Sequence, residues 1–267
     1  MAWVTDNVGY IAWLVPIIGI CTMFGTEVLA CLYHFTCSKN YPTLSYAATF
    51  KPEAYVFTSG MSLTALCILV SVLLFFWYLQ IHHNEHKSTP DNTVAAKVYL
   101  GFGVTSAFSL FGLAVMDMRY HHVAHLWFTI VFFLSTWVML LTAQLVRKRI
   151  LQFENCDNLA LTRRPFTVLR QQSFWRVLCR SRRLDNVTAY VLGHLFVCTG
   201  LASTLLFAIF FLCANDMWPN PLGLTALQEA FFEALAIVCQ LFFMGTLSCE
   251  LAQLHQREEF KNNAIKV

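Results

Sequence analysis

Apolar residues in this chain do not alternate with polar ones. They run on with scarcely a charge, and they do so six times, over about 8–33, 54–79, 94–115, 123–145, 187–212 and 224–251. An α-helix needs about 20 predominantly apolar residues to cross the roughly 30 Å of hydrocarbon in a bilayer. Each run meets that length, so the pattern predicts an all-α, polytopic membrane protein, a bundle of six transmembrane helices forming one domain over residues 1–267. Only Met116 to His122 separates the third run from the fourth, which forces an antiparallel hairpin. Pro16 lies inside the first run and should kink it, leaving a backbone carbonyl for neighbouring groups to satisfy. No basic residue precedes the first run, and that run is too long for a signal-peptide core, so it reads as a helix that stays in the membrane.

Composition agrees: 57% of the 267 residues are hydrophobic and 12% are charged, against about 25% charged in soluble domains. The net charge of +3 matters less than its distribution. The 146–186 segment holds ten basic residues: Arg147, Lys148, Arg149, Arg163, Arg164, Arg170, Arg176, Arg180, Arg182 and Arg183. Lys87, Lys97, Arg257, Lys261 and Lys266 fall on the same side, which leaves Lys39, Lys51 and Arg119 opposite. By the positive-inside rule the basic loop and both termini are cytosolic, and the 31–53, 116–122 and 213–223 connections face a lumen or the exterior. The Asn-x-Thr sequon at Asn186 then lies on the cytosolic side and stays unmodified.

The first lumenal connection, CSKNYPTLSYAATFKPEAYVF from Cys37 to Phe57, is the most informative stretch. Tyr41-Pro42 and Lys51-Pro52 are turn signals bracketing a segment of small and hydroxyl residues, which reads as an ordered lid over the helix mouths. Pro42, Ser45, Pro52, Glu53 and Phe57 stand at the spacing of the signature loop of the FRAG–DRAM–SFK family of six-span proteins, which this stretch resembles. Two further features are similar. One is a His at the lumenal mouth of the fourth span (His121, His122 or His125) followed by Trp137-Val138-Met139-Leu140-Leu141; the other is Glu233 early in the last span.

DRAM-like members carry an Asp directly after the Ser; this chain has Tyr46. Cys37 shortly before Asn40-Tyr41-Pro42 resembles the GPI-anchor remodelling branch, the post-GPI-attachment-to-proteins factor two-like branch, although no Gly stands near Ala48. The resemblance implies a multi-pass protein of Golgi or endoplasmic reticulum membranes, needed when the lipid of a GPI-anchored protein is exchanged for a saturated one. An acyltransferase role at the reacylation step comes with it. Its partners would be membrane lipids and GPI-anchored proteins. The alternative is a non-enzymatic DRAM- or SFK-like modulator of autophagy or lipid organisation.

Glu27, Glu229, Glu233, His125 and His194 lie within the apolar runs. Ionisable groups in hydrocarbon are costly and face a bundle interior or a wet cavity. Glu229 and Glu233 share a helix face at i, i+4. One reading is that these groups pair and fix helix packing. The other is a polar pocket in which Glu233 and His121 or His125 are the candidate catalytic groups, a His acting as general base for acyl transfer or hydrolysis. Glu27 would join the same cavity. No Ser-His-Asp or His-x4-Asp motif specifies the chemistry.

The ten Cys contain no Cys-x-x-Cys pair, so no metal or other cofactor is expected. Cys37 and Cys213 both face the oxidising side and are a candidate disulfide. In the cytosolic loop, Leu169, Phe174, Trp175, Val177 and Leu178 interleave with arginines over 167–184. Such a segment can lie at the headgroup level and attract anionic lipid headgroups, with Cys179 available for palmitoylation. The positive-inside bias alone also explains the charge. A basic loop held at a membrane needs no nucleic acid as partner.

Overall fold

The computed structural model of the protein describes residues 8–37, 41–86, 90–154, 186–214, 217–221 and 223–254. They form seven helices: α1 Val8–Tyr33, α2 Leu44–Ala47, α3 Glu53–His86, α4 Pro90–Val115, α5 His122–Glu154, α6 Asn186–Ala214 and α7 Ala226–Thr246. A turn at Leu247 ends α7, and helical backbone resumes through Leu254. Six helices are long and apolar enough to cross a membrane, the last spanning Ala226–Leu254. All but α2 are spans. The basic segment 167–184 with Cys179, and Arg257, Lys261 and Lys266, lie outside the described residues.

The spans close into a ring. α1 packs on α3, α3 on α4, α4 on α5, α5 on α6, α6 on α7, and α7 returns to α1. Bundles in lipid pack by close contact rather than by a hydrophobic drive, so small residues mark their seams. Gly60 on α3 is one: any Cβ there would collide with the Thr22 side chain of α1. Thr22 in turn donates to the Ile18 carbonyl of its own helix (2.7 Å), so its hydroxyl needs no partner across the seam. Pro16 is accommodated within α1, buried beside α7 close to Gly245. At the other side of the ring, Trp137 of α5 donates its indole N–H to Thr204 of α6 (3.1 Å).

Span boundaries depart from the sequence reading in one instructive place. The apolar pattern ends the fourth span at 145, because Arg147, Lys148 and Arg149 follow. In the structure α5 continues to Glu154, and Arg147 is 2% exposed. It belongs to the helix rather than to the basic loop because it has a partner. Arg147 Nε lies 2.6 Å from Glu250 Oε1, and Nη2 donates to Glu250 Oε2 at 2.8 Å. Nη1 and Nη2 also donate to the hydroxyl and carbonyl of Thr246 (2.9 and 2.8 Å), and the guanidinium lies over the Phe243 ring at 5.4 Å. A guanidinium so surrounded can be buried where a lone one could not.

The disulfide expectation is also corrected. Cys37 is bonded to Cys31, at the end of α1, and Cys213 is a buried free thiol. Cys31 lies six positions before its partner, so the short bridge ties the end of α1 to the segment that leaves it. Cys213 instead sits at the end of α6, its sulfur 3.9 Å from the Pro219 carbonyl oxygen.

Candidate functional site

The segment between α1 and α3 folds back over one end of the ring. Thr43 caps α2, its side chain accepting from the Tyr46 N–H. The two residues that open α2 are held from below by α7: the Glu233 carboxylate accepts the Leu44 N–H at 2.9 Å on one oxygen and the Ser45 hydroxyl at 3.3 Å on the other. Leu44 and Glu233 are both buried. A buried carboxylate with two donors is far less costly than a bare one.

The rest of the lid is fixed at its rim. Tyr41 donates its hydroxyl to Glu27 of α1. Partial burial, together with that bond to a carboxylate, pushes the Tyr41 phenol well above its usual range. Glu53, the first residue of α3, is fully buried and hydrogen-bonds His34 Nδ1 at 2.6 Å. His34 stacks on Phe50 (centroids 4.8 Å apart), and Phe50 packs edge-on against Phe35 and Tyr46. Pro42 is buried, whereas Pro52 is exposed and follows a cis peptide bond. The lid is thus a packed unit, with polar contacts on α1, α3 and α7.

Beneath it lies a cavity enclosed by α3, α4, α5 and α7. Ser45 and Glu233 line its mouth, with Phe57 and Leu113 among the residues around them. Its walls are otherwise apolar except for Thr129, whose hydroxyl donates to the His125 carbonyl (2.9 Å), and for a deeper group formed by Ser106, Thr136 and Gln240. The hydroxyls of Ser106 and Thr136 are 2.6 Å apart and hydrogen-bonded.

Of the residues singled out from sequence, the structure brings Ser45, Phe57 and Glu233 together at this cavity. Neither Glu27 nor Glu229 lines the cavity. The histidines do not converge there. His121 and His122 are exposed at the start of α5. His125 is buried and donates from Nδ1 to the Met116 carbonyl at 2.8 Å, closing the end of α4. His194 stacks with Tyr190 of its own helix (centroids 6.3 Å apart). Among the described residues no group of His, Cys, Asp and Glu could hold a metal ion.

Sequence reasoning missed Gln240, Ser106, Thr136, His34 and the Arg147–Glu250 pair. A search restricted to ionisable residues passes over Gln240. Yet its place seven residues after Glu233 sets it on the same face of α7, an amide in an otherwise apolar run.

Comparison with known proteins gives one result. No curated protein and no solved structure matches. A family model, the Frag1/DRAM/Sfk1/Cwh43P N-terminal domain, matches residues 7–254, which takes in all six spans, the lid and the cavity. The chain therefore belongs to the Frag1/DRAM/Sfk1 family.

Proposed function

We propose that the chain is a GPI-anchor lipid remodelling factor of the secretory pathway, acting at the reacylation step, with the lid on the lumenal side. The observation that carries this reading is the cavity: its lining is mostly apolar, and it is closed by the lid that bears Pro42 and Ser45, with Glu53 and Phe57 following at the start of α3. Such a space suits an acyl chain, and the lid would place it beside the leaflet in which a GPI lipid resides. The chain's own residues would bind that acyl chain along the walls, exclude water, and present Ser45 and Glu233 at the mouth. In this orientation the basic residues between α5 and α6 meet the anionic cytosolic leaflet.

One observation favours a second reading. His125 is committed to the Met116 carbonyl and does not line the cavity. A DRAM- or SFK-like modulator, which binds lipid without converting it, needs no general base. Loss of the protein separates the two. Under the first reading, GPI-anchored reporters lose surface retention and their anchors shift to lyso or unreplaced lipid forms. Normal retention with unchanged anchor lipids would rule it out.

The orientation has its own test. A cysteine introduced at Arg170 should react with an impermeant thiol reagent only after permeabilisation. Labelling in sealed, lumen-out vesicles would reverse the topology.

A further inference from the structure

Gln240 is 3% exposed, and among the described residues neither its amide nitrogen nor its amide oxygen has a hydrogen-bond partner. It lines the cavity seven residues below Glu233, about 10 Å deeper at roughly 1.5 Å per residue. It lies near the middle of the Ala226–Leu254 span, at the depth where water is scarcest. Ser106 and Thr136, also buried, meet the cavity with it. One hydroxyl hydrogen is used between them, which leaves one to give. Above this waist the walls are Met61, Leu110 and Phe133; below it are Ile68, Met139 and Met244.

A buried amide without partners is destabilising, so this position makes sense when something completes it. A plain hydrocarbon chain fills the walls and leaves the amide bare. An ester or an ionised carboxylate offers only acceptors, which serves the nitrogen and leaves the oxygen bare. A neutral carboxyl group, or a carboxamide, offers an acceptor and a donor side by side and matches both amide atoms at once.

We propose that the waist formed by Gln240, Ser106 and Thr136 binds the uncharged head of a single-chain fatty acid or fatty amide, with the chain lying along the apolar walls. The proposal rests on reading the cavity as a lipid site and names the class of lipid. Burial in a low-dielectric site favours the neutral form of the acid. Bound acid therefore has a raised pKa, and its binding is full at low pH and lost as pH rises. Glu233 is the one titratable side chain among the described residues that line the cavity. A fatty amide does not titrate and so controls for it.

The test is thermal unfolding of the full chain in detergent micelles with hexadecanoic acid, hexadecanamide, methyl hexadecanoate or hexadecane. The acid and the amide should raise Tm more than the ester and the hydrocarbon. The acid's advantage should fade with rising pH while the amide's persists. In Gln240→Leu, acid and amide should bind roughly thirtyfold more weakly, the loss of two hydrogen bonds at about 1 kcal/mol net each, with hexadecane unaffected. The unliganded variant should unfold no earlier than the parent, because an unpartnered amide has been removed.

Equal protection by all four compounds, as when water alone satisfies the amide, would overturn the proposal, and so would discrimination that survives Gln240→Leu. Should that variant fail to fold, the four-compound series on the unaltered protein still decides. The reporter assay reads the proposed function separately. Absent discrimination with GPI lipid exchange still dependent on the protein discards the waist and keeps the function.

Discussion

Replacing Arg147 with alanine is expected to cost about 3–5 kcal/mol of stability, the typical penalty for leaving one half of a buried ion pair behind. Glu250 is 4% exposed, and Arg147 approaches both of its carboxylate oxygens. Without the guanidinium, that carboxylate and the Thr246 carbonyl lose their charged donor. Glu250→Ala should cost as much, for the converse reason: an arginine held by a hydroxyl and a carbonyl alone remains a buried charge. The double replacement Arg147→Met with Glu250→Leu should recover most of the loss, because it removes both charges and keeps the volume. Unfolding midpoints of the four proteins in one detergent series measure these differences. Single variants that unfold with the parent would show that the pair contributes nothing to stability. The pair joins α5 to the segment after Leu247, so the damage should appear first as faster hydrogen exchange in 247–254.

Arg147 also shows where reading the sequence reaches its limit. Span existence and order were plain from it, because hydrocarbon demands long uncharged runs and nothing else in the chain supplies them. The first span, 8–33, coincides with α1. The fourth was cut short at 145, since a basic residue reads as the end of the membrane unless its counter-ion is known. That counter-ion lies 103 positions away. The same limit applies at the lid. Its order and its packing over the helix mouths were legible from Pro42 and Pro52. That Glu233 would hold the first N–H of α2 was not, because the two are 189 positions apart. The partner of Cys37 is Cys31, which lies at the end of the first apolar run rather than in a second loop. An intramembrane histidine need not face a cavity. A buried imidazole can spend its one donor on a helix-end carbonyl, as His125 does, and sequence spacing does not distinguish that from a base facing a cavity.

Glu233 is where the lid, the cavity and the proposed function meet, and two substitutions there separate its roles. Glu233→Ala leaves the buried Leu44 N–H without an acceptor, a loss of about 1–3 kcal/mol, and removes the partner of Ser45. Of its side-chain hydrogen bonds to the spans the lid then keeps those through Glu27, His34 and Glu53, besides its ring packing and the Cys31–Cys37 bridge. Hydrogen exchange across 41–53 should accelerate by one to two orders of magnitude, on the order of that free-energy loss at a factor of ten per 1.4 kcal/mol. GPI lipid exchange should be lost with it. Glu233→Gln behaves differently. Its amide oxygen can still accept from Leu44, and its nitrogen can donate to the Ser45 hydroxyl oxygen. Lid exchange should therefore stay close to that of the parent while the carboxylate is gone. If the carboxylate takes part in lipid exchange, the Gln variant accumulates normally and fails in the reporter assay. If Glu233 serves only to hold the lid, the Gln variant restores exchange in full and the Ala variant does not. An Ala variant whose 41–53 segment exchanges no faster than the parent would show that the bond from Glu233 to α2 is not what keeps the lid down.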